Sequence, residues 1–388
     1  MQNEVQISIK SKREVNYQFR ILYAMLMFCV LAGHIGSVPE YVPWVELFSA
    51  YGFGIQLFLF ISGYFYSKKN DSIPHKFILK KVLTILLPYL GWNLFYGLVC
   101  LLLSLFGFEF AHEINIKSIT IDAILHGPRF GFIGPLWFLV PFFFAEVFCS
   151  LERFAFSKFD SAAKDIIILV INLGINFASI YYVMHHYNSN GYYEGNLVCV
   201  LQAMFMLPYF TLGYIYKTYL EKKDTLSNTK YFLILIFLAV FYIFVNGHSS
   251  SYFVAVMGGY ENVLFPTVTA FLGIAFYLRI ARVITPVLGK SKVVNAIGSN
   301  TFAILIHHSF SYFVLSMIFV LCAKILPFLP DPDMERLFTD ASYRYMPRGR
   351  GFPIVFIIFG FAYSIGFKML VDLIKTKILL AINKIKAR

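Results

Sequence analysis

The sequence predicts an all-α, polytopic integral membrane protein of about ten transmembrane helices, with both termini in the cytoplasm. Composition, the length of the apolar runs and the distribution of charge each lead there. Of 388 residues, 59% are hydrophobic and only 14% charged, against about a quarter charged in a soluble domain. Mean hydropathy is +0.68. The apolar runs are apolar all round, whereas a soluble protein of this length would show one-sided stripes. The 44 Phe and 26 Tyr suit a surface that meets lipid and ends that sit among headgroups.

A span needs roughly 20 mainly apolar residues. That rule predicts helices over residues 20–38, 47–67, 81–106, 134–150, 165–184, 197–216, 231–247, 263–281, 297–323 and 352–373. The fourth is short by this measure and the seventh marginal. Between them lie turn-forming clusters at 36–43, 68–74, 188–195 and 247–259, and a long Pro-, Asp- and Arg-rich segment at 327–353. The start of the chain is polar and charged through Arg20, and no small-residue cleavage site follows the first apolar run. The run therefore reads as a retained helix, not a removed signal. No internal repeat or low-complexity tract is present. The expected organisation is a cytoplasmic segment at 1–19, one transmembrane domain at 20–376 and a basic cytoplasmic tail at 377–388.

Orientation follows from Lys and Arg. The N-terminus, segments 67–81, 151–165, 217–230 and 279–296, and the C-terminus from Lys368 carry 26 of the 33 basic residues. The alternate loops carry only Lys117, Arg129, Lys324, Arg336, Arg344, Arg348 and Arg350. The bias has one sign at every crossing and places the first set in the cytoplasm. The net charge of +12 is thus explained by topology and attraction to anionic lipid heads, and is no argument for nucleic acid. Cys29, Cys100, Cys149, Cys199 and Cys322 fall in or beside the apolar runs without metal-ligand or disulfide spacing, so packing is their expected role. Phosphate-binding loops, dinucleotide fingerprints, zinc-protease motifs and serine-hydrolase elbows are all absent.

Ionisable side chains inside hydrocarbon cost several kcal/mol, roughly 3 or more each, and so mark an interior or a wet cavity. His34 stands fourteen residues after Arg20, about 21 Å along a helix. Glu146 lies nine residues beyond Trp137, His307 and His308 are mid-way along the ninth helix, and Asn93 is a neutral companion in the third. Comparable depths suggest one shared internal site. Neighbours on a helix point about 100° apart, so one of the two adjacent histidines faces inward, and His307 is the preferred choice. His185 and His186 read as interfacial, and His75, His112, His126 and His248 as loop residues.

These polar positions sit in short stretches that resemble membrane-bound acyltransferase family 3, in particular its fucose-4-O-acetylase-like and polysaccharide O-acetyltransferase members. MLMFCVLAGHIG (25–36) resembles the family's first helix ending in Gly-His, and IQLFLFISGYFYSKK (55–69) its second. ILLPYLGWNLFY (85–96) resembles the third-helix entry. GPLWFLVPFFFAEV (134–147) is the most specific stretch, a G-P-L-W-F-L segment followed by an acidic residue. LPYFTLGYIYK (207–217) and IGSNTFAILIHHS (297–309) resemble later helices. The stretches fall in family order over roughly 20–310. One position departs: members usually carry Arg or Lys eleven residues before the first-helix His, and Tyr23 stands there. Arg20 lies fourteen before, on nearly the same helix face.

The resemblance implies transfer of an acyl group, usually acetyl from cytoplasmic acetyl-CoA, to a sugar hydroxyl of a surface glycan or its lipid-linked precursor. It implies a multi-pass protein of a bacterial cell membrane, with no bound cofactor or metal. Attack by a hydroxyl on a thioester requires a base near neutrality, which makes His34 the candidate general base or, alternatively, a transient acyl carrier. Glu146 would orient a catalytic partner or bind acceptor hydroxyls. Asn93, Asn300 and His307 are candidate hydrogen-bond donors to the developing oxyanion. Trp137 is either a stacking surface for a sugar or an interfacial anchor, and Arg129 either contacts the acceptor or caps a loop. Arg20 and the pairs Lys68/Lys69 and Lys80/Lys81 would receive CoA phosphates, although topological charge also accounts for the lysines. Expected partners are therefore the acyl-CoA donor, the glycan acceptor, membrane lipids and polysaccharide-synthesis machinery. The rival reading is a glycan or lipid-linked glycan flippase, which predicts broken helices in paired half-repeats.

Overall fold

In a computed structural model, the chain is described over residues 15–35, 50–110, 115–127, 131–159, 161–193, 195–247, 252–323, 325–326, 329, 331–340, 343 and 352–386. These residues are helical, with no strand among them and only two isolated bridges, at Tyr192–Gly258 and Phe253–Gly258. Eight helices are long and apolar enough to cross a membrane. They are α3 (Pro74–Ser104), α4 (Gly131–Ala155), α5 (Ala162–Met184), α6 (Val198–Lys223), α7 (Asn228–Asn246), α8 (Phe265–Leu288), α10 (Thr301–Ala323) and the long last helix, whose apolar stretch is Phe352–Ile385. Two shorter apolar helices precede them, α1 (Tyr17–Gly33) and α2 (Ala50–Tyr64). The amphipathic α9 (Lys292–Ser299) links α8 to α10.

The differences from the expected spans have local causes. Helix α1 starts at Tyr17, where the Asn16 side chain caps the Phe19 N–H, and it stops at Gly33. That is short of the expected 38, and His34 serves as the C-cap. The expected turn at 36–43 lies outside the described residues. Helix α3 begins about two turns earlier than predicted, with Pro74 in the first turn, and widens to π geometry at Val82–Leu86 just before Pro88, which has no N–H to give. Helix α4 opens as a 3₁₀ helix over Gly131–Phe138 and turns α-helical at Leu139. The last helix, α11 (Phe352–Lys386), runs 35 residues without a break. No helix end marks position 377, because the residues around it (Lys375–Ala381) are helix formers without Pro or Gly.

Helices α2 and α6 cross most closely. A Cβ on Gly63 would fall on the carbonyl oxygen of Phe210, and one on Gly213 would fall on that of Phe60. Small residues let backbones approach where lipid supplies no hydrophobic drive between helices. Around this crossing packs one aromatic and aliphatic core that includes Phe60, Tyr209, Phe205, Tyr96 and Phe132. Helix α7 lies outside it, resting Leu235 and Ala239 on α8. Its remaining large side chains, Phe237 and Phe244 among them, point outward, as a lipid-facing helix requires.

The basic segments gather at one end of the bundle, where many of their charges are neutralised. Arg153, at the foot of α4, donates through Nε and Nη2 to both oxygens of Asp71 at 3.1 Å. Its Nη1 donates to Asp165 at 2.9 Å, and its guanidinium stacks 3.6 Å above the Tyr214 ring. Lys164 Nζ completes the balance at 3.3 Å from Asp71, and the Tyr219 hydroxyl donates to Asp165 at 2.7 Å. All four charged residues are buried. A second tie joins Asp224 to Arg279 and Arg282, each at 2.9 Å.

Two outcomes are expected. Gly213→Val forces α2 and α6 apart and costs about 1–3 kcal/mol, read as a thermal midpoint several degrees lower in detergent. Asp71→Asn leaves Arg153 and Lys164 with one carboxylate between them and costs about 3 kcal/mol or more, read as a fall in monodisperse folded yield by size-exclusion chromatography.

Candidate functional site

Two cavities among the described residues share a pair of rings in their linings. The first, about 640 Å³, opens at the basic end and is lined by Ser62, Asn70, Lys76, Lys80, Lys81, Thr301 and Phe302 among others. The second, about 160 Å³, is lined by Leu26, Cys29, His34, Pro135, Trp137 and the segment Tyr252–Ala255. Phe58 of α2 and Phe138 of α4 line both. Their rings stack with centroids 5.8 Å apart and planes 20° apart.

The smaller cavity is built by three local devices. Because α1 ends at Gly33, His34 caps the helix and turns its ring into the cavity, an exposed residue rather than one within the helix wall as the sequence suggested. The 3₁₀ opening of α4 has three residues per turn, so Pro135 and Phe138 share a face, and both meet the cavity beside Trp137. The third wall folds back from the loop before α8. Gln202 Nε2 donates to the carbonyls of Val254 and Ala255 at 3.0 and 2.9 Å, and the Tyr252 hydroxyl donates to the Pro266 carbonyl at 2.9 Å. Met257, at φ 44°, makes the tight reversal that pairs Phe253 with Gly258.

Glu146 does not join His34. It is fully buried on α4, where it takes hydrogen bonds from Ser62 Oγ and Lys81 Nζ, both of which line the larger cavity. Phe138, two turns nearer the far end, separates it from the His34 cavity. The expected single polar site is therefore two sites at different depths. The reason is that α4 carries its acid toward the basic end of the bundle, within reach of Lys81, the last lysine along α3. Glu146 Oε2 is buried without a hydrogen-bond partner.

The adjacent histidines also separate, with the preference reversed. Both are buried. His307 Nδ1 meets the Tyr96 hydroxyl at 2.7 Å, and its ring lies edge-on to Trp92 at 4.5 Å and against Phe367 of α11 at 4.7 Å. His308 is the one beside His34, with ring centroids 5.2 Å apart. Helical phase required only that the two point apart. Which one faced inward depended on the rotation of α10, which its packing against α11 sets.

The other sequence candidates hold structure together. Asn93 Nδ2 donates to the Ile119 carbonyl at 2.5 Å, pinning the short helices Ile116–Ile119 and Ile121–Leu125 to α3. Asn300 Nδ2 donates to the Ala296 carbonyl at 2.7 Å across the bend between α9 and α10. Arg20 Nη1 donates to the Gly298 carbonyl at 3.0 Å, in a contact so close that a Cβ on Gly298 would meet the Arg20 backbone. Arg129 lies outside the described residues. Sequence reasoning passed over Ser62, Gln202 and Tyr252–Ala255. Ser62 sits inside the quoted SGY stretch, a signal that was available. The folded-back loop has no such signal, because its role comes from a long-range contact with α6.

A family model described as an acyltransferase domain matches residues 16–373, nearly the full bundle. The chain belongs to acyltransferase family 3. No curated protein and no solved structure matches it. Membership makes the chain a multi-pass membrane acyltransferase, and its eight long apolar helices agree with that.

Lys81→Met would strand the buried Glu146 anion. The expected cost is roughly 2–4 kcal/mol, and adding Glu146→Gln in the same chain recovers most of it. Thermal midpoints of the two single variants and the double variant measure this coupling; equal midpoints for Lys81→Met and the double variant would contradict it.

Proposed function

We propose that the chain transfers acetyl from cytoplasmic acetyl-CoA to a hydroxyl of a surface polysaccharide or its lipid-linked precursor, across a bacterial cell membrane. The observation that carries this reading is the pair of cavities, lysine-lined at one end and holding His34 at the other, with the stacked rings of Phe58 and Phe138 shared by both linings. CoA is large and anionic and does not cross a bilayer. Lys76 and Lys80, with Asn70, offer its phosphates charge-assisted hydrogen bonds at the basic end. The basic residues fixed in ion pairs, Lys81, Arg153 and Arg279, are not free to do so. The pantetheine arm is narrow and mostly uncharged, so it suits the apolar passage beside Phe58 and Phe138.

The chemistry follows from the species at the two ends. An acceptor hydroxyl in the small cavity gives its proton to an unprotonated nitrogen of His34 as its oxygen attacks the thioester carbonyl. The carbon–sulfur bond of the tetrahedral intermediate then breaks. The thiolate takes the proton back from the imidazolium, which yields an O-acetyl ester and CoA thiol without any redox change. Trp137, half-buried in the same wall, presents a ring face on which a sugar stacks. Among the described residues the lining of this cavity has no lysine or arginine, which favours a neutral acyl group such as acetyl over a charged one such as succinyl.

His34→Ala is expected to abolish O-acetylation while the protein still inserts in the membrane at wild-type level. Inverted vesicles given labelled acetyl-CoA should label glycan, and vesicles carrying His34→Ala should not. Transfer that persists in the variant would remove the base assignment. Movement of a labelled lipid-linked glycan with no acetylation would replace the enzyme reading with a flippase.

A further inference from the structure

Behind His34 lies a second imidazole that lines neither cavity. His308 is fully buried. Its Nδ1 stands 2.8 Å from the Leu305 carbonyl oxygen and 3.0 Å from that of Ile304. Carbonyl oxygens only accept, so Nδ1 carries a hydrogen, and in the neutral ring Nε2 is then a bare acceptor. That Nε2 is buried and has no hydrogen-bond partner. A buried acceptor left unsatisfied is costly enough to be uncommon in folded proteins.

The nearest ring that can donate is His34, with centroids 5.2 Å apart and planes tilted by 35°. Two imidazoles joined by an N–H···N bond of about 3 Å have centroids about 5 Å apart, so a turn of the His34 ring closes the pair without movement of either helix. His34 has room for that turn, because it caps α1 and lies against the open cavity. The His308 side has none. Its ring is held by two carbonyls and by Tyr312 at 5.8 Å, and the Tyr312 hydroxyl is itself tied to the Leu31 carbonyl of α1 at 3.0 Å. That last bond fixes the end of α1 that presents His34.

We propose that His308 is a positioning residue for His34. Its Nε2 accepts the N–H of the His34 ring, which leaves the other His34 nitrogen unprotonated and turned to the cavity. A neutral histidine has two tautomers, and only the one with its bare nitrogen toward the acceptor hydroxyl acts as a base. The hydrogen bond to His308 selects it. The proposal rests on the acyl-transfer reading for its purpose, but the geometry is independent of that reading.

The test uses two isosteric variants of the full-length protein in lipid nanodiscs, with ¹⁵N,¹³C-labelled histidine. His308→Asn places an amide at the Nδ1 position, keeps the bond to the helix carbonyls and removes the acceptor at the Nε2 position. His308→Gln puts an amide oxygen back near the Nε2 position. His34 resonances are assigned by their loss in His34→Gln. Wild type and His308→Gln should show one His34 tautomer, and His308→Asn a mixture of both. Acyl transfer should fall about 100-fold in kcat in His308→Asn, with KM for acyl-CoA unchanged, and His308→Gln should recover most of it. An unchanged His34 tautomer in His308→Asn overturns the proposal, as does an equal loss of kcat in both variants. A locked tautomer, released in Asn and restored in Gln, in a protein that transfers no acyl group would uphold the histidine pair and overturn the acyl-transfer reading instead.

Discussion

Arg153 holds the basic end of the bundle in one piece. It reaches the turn after α2 through Asp71 and the start of α5 through Asp165, and it lies on the Tyr214 ring of α6. An unpaired guanidinium in that position would cost more than any contact it makes, so Asp71, Asp165 and Lys164 belong to one charge-balanced unit. With that unit in place the turn after α2 is fixed, and with it the start of α3 and the depth of Lys81. Lys81 in turn sets where Glu146 can be neutralised. The larger cavity takes its shape from this chain of dependence, which begins outside it.

The architecture was legible to the extent that lipid dictates it. Apolar runs long enough to span and basic residues on alternate loops are both demands of the bilayer, so they are written residue by residue. The prominence of His34 and Trp137 was legible too, since a histidine and a tryptophan at facing helix ends are conspicuous in such a sequence. What escaped were quantities set by helix rotation and termination. Whether His307 or His308 met His34 depended on the phase of α10 against α11. Whether Glu146 shared a site with His34 depended on how far α4 descends before it meets α3. Asn93 and Asn300 read as chemistry because a polar residue in an apolar helix always invites that reading, yet each satisfies a backbone carbonyl at a bend or junction.

Arg20 shows how a departure in spacing acquires a physical meaning. Its guanidinium is spent on the Gly298 carbonyl, at a point where the backbones of α1 and α9 touch. With Tyr23 at the position nearer His34, the first helix supplies a tie to α9 and an aromatic wall to the larger cavity. Positive charge in that cavity comes instead from α3, through Lys76, Lys80 and Lys81.

The stacked rings of Phe58 and Phe138 have a meaning for the membrane itself. Two cavities meeting end to end inside a bilayer are nearly a pore, and a wetted file between them would carry protons down the membrane potential. An aromatic pair at the junction is a place where a water column breaks, because neither ring face replaces the hydrogen bonds that a water molecule gives up there. Insulation therefore falls to these two side chains, and on the proposed reading they do it while an acyl arm lies beside them.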